Sequence, residues 1–112
     1  MRIWDIPPSR LCRVHLLGEH RELHAIWSIY VNKKKGYLHH PETKRWAGKL
    51  RALFKRHDAL VVEMEKRGCA HKSPLEKRHA KGLAFQDELI DSLAEQKRRL
   101  RGKPCACFSK KE

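Results

Sequence analysis

Three side chains capable of acid–base chemistry share one face of a helix predicted between Leu11 and Ile29. His15, Glu19 and Glu22 are spaced i, i+4 and i+7, and this spacing places them on one stripe of an α-helix. Apolar residues extend the same stripe, so an imidazole and two carboxylates lie in line with the side chains that face the core. Burial of a carboxylate costs several kcal/mol unless it gains a partner or a function. We therefore take this stripe as the candidate functional centre.

Two interpretations of Glu22 remain open at this stage. Its carboxylate could act as a general base or stabilise a cationic intermediate. Alternatively, it could form an ion pair with a neighbouring arginine, and the composition alone favours that alternative.

A metal site is a further possibility, because the stripe resembles half of the carboxylate site of a helical bundle. The other ligands would have to come from other helices, and His57, Glu63 and Glu65 are the candidates. Only His57 lies on the inward stripe of its helix, so we expect no metal and no other cofactor. The other histidines show no regular ligand spacing and are expected mainly on the surface: His20, His24, His39, His40, His71 and His79.

The charge of the chain indicates a polyanionic partner. Lysine and arginine number 26 against 13 acidic residues in 112 residues, giving a net charge of +13. An excess of this size in a small domain favours nucleic acid first, an anionic membrane surface second and a merely basic protein third. Three basic runs are the candidates for phosphate contact: Lys33 to Lys35, the outer side of the second predicted helix, and Lys97 to Lys103.

The sequence predicts neither a membrane-spanning helix nor a signal peptide. No run is long and apolar enough to span a membrane, and the first residues lack the apolar stretch of a signal peptide. We expect a cytoplasmic protein that accompanies the nucleoid when bound to DNA. In such a reducing compartment the four cysteines are expected to be free thiols: Cys12, Cys69, Cys105 and Cys107.

The pattern of apolar residues predicts an all-α fold: one compact bundle of about three main helices, with the N-terminal segment packed between them. The first helix follows an N-cap at Ser9 and ends near Val31, the second runs from Pro41 to Gly68, and the third covers about 85–100. Residues 1–104 are expected to form one domain and 105–112 a flexible tail.

Some side chains within these elements have predicted positions. Trp27 and Trp46 are expected in the core, whereas Trp4 and Tyr37 could stack on bases. In the third helix we expect three leucines to face inward: Leu89, Leu93 and Leu100.

The chain terminus offers an unconventional nucleophile. Methionine is normally retained before a bulky residue such as Arg2, which leaves Met1 with a free α-amine. The pKa of such an amine is roughly 8 in model peptides, and neighbouring cations lower it. A neutral amine can form a Schiff base with a sugar aldehyde. The alternative is an ordinary frayed end, which the physical argument alone favours.

The segment from His15 to Leu23, HLLGEHREL, resembles the signature of the pyrimidine-dimer DNA glycosylase/AP-lyase family, the family of phage endonuclease V. The resemblance resumes over residues 49–68, where it consists mainly of helix and charge. Together the two segments cover somewhat over half of the chain. One departure is Ala25, which stands where the phage enzyme has an arginine.

The resemblance implies an all-α repair enzyme that acts on lesion-containing double-stranded DNA and needs no metal. From its size we expect the protein to act as a monomer. The resemblance places the nucleophilic α-amine at Met1 and the essential glutamate at Glu22. It also implies that DNA is contacted by Arg2 and Arg21. We add five further candidate contacts, of which the first also matches the family: His15, His24, Lys33, Lys34 and Lys35.

The implied reaction proceeds through a covalent imine. The amine attacks C1′ of the damaged nucleotide or condenses with an abasic sugar, Glu22 stabilises the cationic sugar, and β-elimination then breaks the strand. Access to C1′ requires a nucleotide flipped out of the stack. The alternative is a non-catalytic basic helical protein that binds nucleic acid without preference for damage and with a steep dependence on salt.

Overall fold

The computed structural model of the protein contains four α-helices within the residues that it describes. The structure describes residues 3–33, 36, 38–69 and 74–101. The helices are α1 (Arg13–Val31), α2 (Pro41–Lys44), α3 (Leu50–Lys66) and α4 (Leu93–Arg101), and 3₁₀ turns cover Pro8–Arg10 and Lys77–His79. No strand occurs within the described ranges, so the predicted all-α fold is confirmed. The predicted tail at 105–112 lies outside these ranges.

Helices α1 and α3 pack against each other and form the core. The apolar residues of α1 follow the helical period, and Leu23 and Ile26 are fully buried. Leu53 and Leu60 provide the corresponding face of α3. Both core tryptophans, Trp27 and Trp46, are buried as predicted. No helix in the described ranges is long and apolar enough to cross a membrane.

The N-terminal segment enters this core, as predicted. Ile3, Trp4 and Ile6 are 1%, 6% and 0% exposed. The expectation that Trp4 stacks on bases is therefore wrong, because its ring is already covered by protein. Ser9 is not an N-cap either: it lies in the 3₁₀ turn at Pro8–Arg10, and α1 begins only after Cys12.

The second predicted helix is interrupted, so the prediction of one continuous helix is wrong. A turn over 45–48 separates α2 from α3, and Gly48 has a φ of +71°, which glycine adopts without strain. The segment 81–83 then caps α3 through its backbone, because the carbonyls of Lys81 and Leu83 accept from the amides at 51 and 52. Gly82 permits this contact, since a Cβ there would lie 2.1 Å from the Gly48 oxygen.

The third predicted helix begins about eight residues later than expected. Residues 83–92 are irregular, and α4 starts after Ser92, whose hydroxyl accepts from the Glu95 amide. The basic outer side predicted for the second helix would include Lys49, and this expectation is wrong. Lys49 is buried and holds the irregular segment through its contacts with Asp87 and Glu88. Of the three leucines predicted to face inward, Leu100 is buried, but Leu89 and Leu93 are 42% and 44% exposed.

Candidate active site

The two glutamates of the predicted stripe have different surroundings. Glu19 is buried, and its carboxylate accepts hydrogen bonds from the Trp4 amide at 3.0 Å and from Nε of Arg56 at 2.6 Å. Burial raises the pKa of Glu19 to about 6, although the Arg56 guanidinium and the Trp4 amide both favour the charged form. Glu19 therefore attaches the N-terminal segment to α1 and α3.

The raised pKa of Glu19 predicts a pH-dependent contribution to stability. A carboxyl whose pKa rises from 4.5 to about 6 on folding adds stability below pH 4.5 and loses it as the pH rises through 6. The loss should be about 2 kcal/mol, since each pKa unit corresponds to about 1.4 kcal/mol. We expect the free energy of unfolding of wild type to fall by this amount relative to Glu19→Gln across the interval.

Urea titrations at closely spaced pH values measure this difference. Glu65→Gln, on an exposed position of α3, is the control and should follow the wild type. Parallel curves for wild type and Glu19→Gln would contradict the assignment.

Glu22 lies one helical turn beyond Glu19 and is half-buried. Within the described ranges its carboxylate makes no hydrogen bond and no ion pair, and the adjacent Arg21 is exposed to solvent. An ion pair with arginine, the structural alternative for this residue, is therefore not observed there. The half-buried carboxylate of Glu22 is therefore accessible to a ligand or to another part of the chain.

His15, the third member of the stripe, also contacts the N-terminal segment. Its ring lies edge-to-face against Trp4, with centroids 5.9 Å apart and an interplanar angle of 86°. Its Nδ1 is 3.2 Å from Sγ of Cys12. His15 and Glu19 thus both fix Trp4, while Glu22 continues the same helix face.

The segment is held from its other side by Arg45, which the sequence analysis missed. Its guanidinium donates to the Ile3 carbonyl at 3.0 Å and to the Asp5 carboxylate at 3.1 Å, and it pairs with the buried Glu42. Gln96 of α4 accepts from the Asp5 amide at 2.7 Å. The only sequence signal for this network is the i, i+3 spacing of Glu42 and Arg45, which is too common to identify a buried pair.

The remaining predicted site residues are only partly described. Arg21 and Lys33 are exposed, and Lys33 follows Asn32, the C-cap residue of α1, with a φ of +53°. Four predicted site residues lie outside the described ranges: Met1, Arg2, Lys34 and Lys35.

Three histidines form a cluster between α1 and α3. The Nε2 atoms of His20, His24 and His57 are separated by 3.2, 3.2 and 3.3 Å. His20 and His24 are half-buried and His57 is buried, so the expectation that His20 and His24 are surface residues is wrong. Their i, i+4 spacing is a regular ligand spacing that the sequence analysis overlooked. Among the described residues, this cluster, rather than the stripe of His15, brings together side chains that could hold a metal ion.

Two clefts formed by described residues have no residue of the stripe in their walls. One, of about 390 Å³, is lined by Asp5, Arg56 and the segment 84–87, among others. The other, of about 440 Å³, lies between Pro41, Arg45 and the segment 88–90. Neither includes Glu22 in its wall, so neither marks the stripe as a preformed pocket for a small molecule.

Comparison with known proteins identifies the family. A family model described as pyrimidine dimer DNA glycosylase matches residues 1–77 of the 112. The chain belongs to the pyrimidine dimer DNA glycosylase family. Neither the curated proteins nor the solved structures gave a significant match.

Membership confirms the resemblance recognised in the segment from His15 to Leu23. It supports a role in DNA repair as a DNA glycosylase, with DNA containing pyrimidine dimers as the substrate. The matched region includes the N-terminal segment, α1 with Glu22, and α3, and it ends before α4. The contacts that hold the N-terminal segment against α1 therefore lie within the region matched by the pyrimidine dimer DNA glycosylase family.

Proposed function

We propose that the protein is a DNA glycosylase and AP lyase that acts on pyrimidine dimers or abasic sites in duplex DNA. The α-amine of Met1 is the nucleophile and Glu22 is the acid–base group. The observation that carries the proposal is the attachment of the N-terminal segment to the face of α1 that bears Glu22. Residues 1–104 work as one domain, and a single chain suffices for the reaction.

The reach of the chain supports this assignment. The Trp4 amide is bonded to Glu19, and residues three apart on a helix have Cβ atoms about 5–6 Å from each other. Two residues precede Ile3, and an extended chain spans at most about 3.6 Å per residue. An α-amine at Met1 therefore needs no rearrangement of the core to approach the carboxylate of Glu22.

The lack of a hydrogen-bond or ion-pair partner for Glu22 among the described residues suits the proposed chemistry. A carboxylate without an arginine partner in the described ranges has its proton-accepting oxygens available for the sugar. Glu19, by contrast, has both oxygens engaged, and it positions the segment that carries the amine.

In the proposed reaction, the amine first forms an imine with the sugar, and β-elimination then cleaves the strand. The neutral amine forms a bond to C1′, and the glycosidic bond breaks with its electron pair leaving on the base, which takes up a proton. Loss of the amine proton and opening of the sugar give a protonated imine. Glu22 removes a proton from C2′, the bond between C3′ and its oxygen breaks, and the phosphate leaves. Water finally hydrolyses the imine and releases the enzyme.

Phosphate contacts are assigned to the cations beside this face. Arg21 and Lys33 are exposed on α1 and directly after it, and Arg2, Lys34 and Lys35 complete the proposed set. His15 contributes by fixing Trp4. We leave His24 out of the DNA contacts, because its Nε2 faces the two other histidines of the cluster.

Borohydride trapping tests the proposal directly. Untagged protein is mixed with three duplexes, carrying a pyrimidine dimer, an abasic site or no lesion, and the imine is reduced in place. We expect a covalent adduct with the first two duplexes and strand cleavage when borohydride is omitted. Adduct with the abasic duplex alone would restrict the activity to the lyase. Binding to all three duplexes without any adduct would favour the non-catalytic alternative, for which the net charge of +13 is the supporting observation.

A further inference from the structure

We propose that His20, His24 and His57 form a binding site for a divalent transition-metal ion, with zinc as the preferred ion, that joins α1 to α3. The ligands are the three Nε2 atoms, and water completes the coordination. The proposal does not depend on the proposed reaction, because it rests on a different set of residues.

The distances between the nitrogens fit a tetrahedral zinc ion. Zinc binds imidazole nitrogen at about 2.0–2.1 Å, so two such ligands in a tetrahedron lie about 3.3–3.4 Å apart. The three observed separations are 3.2, 3.2 and 3.3 Å. All three pairs meet this condition at once, and the ligands come from two helices that already pack together.

Hydrogen bonds among the three rings explain the mutual approach of the three Nε2 atoms less well than a bound metal ion does. Each Nε2 has a single in-plane site, which holds either a proton or a lone pair. With three mutual contacts, at least one pair must therefore oppose two lone pairs or two protons. Additional protonation would place like charges about 3 Å apart. A metal ion at the centre instead accepts three lone pairs, as imidazole ligands commonly provide to zinc, copper and nickel.

A carboxylate next to the site fits the pattern of outer-shell groups. Asp58 Oδ1 lies 3.7 Å from Nδ1 of His57 on the side of the ring away from the cluster. Metal-bound histidines usually direct their second nitrogen toward a carboxylate, carbonyl or water. At this distance a bridging water or a small side-chain rotation of the exposed Asp58 completes the contact.

The site lies on a different side of α1 from Glu22. Glu22 is two residues from both His20 and His24, which corresponds to about 200° around an α-helix. The histidines therefore flank the buried face of α1 on the side opposite the glutamate. A metal ion held there stabilises the packing of α1 on α3 rather than taking part in chemistry at Glu22.

Metal binding is measured on the full, tag-free chain after treatment with a chelator and exchange into metal-free buffer. Zinc is titrated in competition with a chromophoric chelator, and cobalt is added separately for its visible spectrum. We expect one zinc per chain, the intense bands of tetrahedral cobalt and a melting temperature that rises with zinc concentration. Affinity should fall on acidification, because imidazole binds the metal only in its neutral form.

His24→Gln is the decisive variant, since its half-buried position tolerates the change better than that of the buried His57. It should weaken zinc binding by more than the roughly 10–100-fold that outer-shell changes cause. His39→Gln, at an exposed position outside the cluster, is the matched control and should bind like the wild type. Absence of binding by wild type, or equal affinity in His24→Gln, would overturn the proposal. So would zinc binding that persists in His24→Gln but disappears when the thiols of Cys12 and Cys69 are alkylated.

Trapping assays with excess chelator separate this proposal from the proposed function. Adduct formation that continues without metal is expected, because the amine and Glu22 need no ion. A failure to bind zinc therefore leaves the repair reaction untouched, and a failure to trap DNA leaves the metal site untouched.

Discussion

Glu22→Gln is expected to lower strand cleavage at a dimer or an abasic site by about 10²–10⁴-fold, the usual contribution of a positioned acid–base group. The amide is nearly isosteric with the carboxylate, but it can neither accept the C2′ proton nor balance the charge of the imine. Because Glu22 makes no hydrogen bond or ion pair within the described ranges, the substitution removes no structural contact seen there.

The comparison uses single-turnover cleavage of a labelled duplex, with urea unfolding as the measure of stability. Glu22→Gln should unfold at the same urea concentration as the wild type, and it should bind the duplex with similar affinity. Glu65→Gln, a carboxylate on an exposed position of α3, should cleave like the wild type. Full cleavage by Glu22→Gln would remove Glu22 from the mechanism.

The parts of the fold that depend on local pattern were predictable from the sequence. The apolar residues of α1 recur with the helical period, and Leu23 and Ile26 are buried as that period requires. The break between α2 and α3 was not predictable, because it depends on Gly82, more than thirty residues after Gly48 in sequence. The periodicity of apolar residues reports only local structure, so it cannot predict a backbone contact between residues so far apart in sequence.

In the candidate site, too, the features set by local spacing were predictable and those set by distant contacts were not. The stripe of His15, Glu19 and Glu22 follows from spacing alone, and the structure places Glu19 in the core as the pattern indicated. The partner of Glu19 could not be predicted from the sequence, because any of the 26 lysines and arginines could have paired with it. Only the fold brings Arg56 to its carboxylate. The i, i+4 pair His20 and His24 was visible in the sequence, but its third member required the packing of α3.

Blocking or displacing the α-amine of Met1 is expected to abolish or strongly reduce activity. Acetylation of Met1 should reduce the borohydride-trapped adduct and the lyase activity to background, because an amide nitrogen is not a nucleophile toward C1′. Addition of one residue before Met1 keeps a free amine but moves it by up to about 3.6 Å. A misplacement of about 1 Å can already cost about 10²-fold in rate, so the extended protein should lose at least that much.

The two variants together distinguish a missing nucleophile from a displaced one. Both should keep their affinity for lesion-containing duplex, because the exposed cations that we assign to phosphate contact are unchanged. A protein extended by one residue at the C-terminus is the control and should trap DNA like the wild type. An adduct of undiminished yield on the acetylated protein would show that a lysine side chain is the nucleophile. That result would leave Glu22 as the acid–base group but would end the role of the chain terminus, and with it the functional reason for holding the N-terminal segment against α1 through Glu19 and His15.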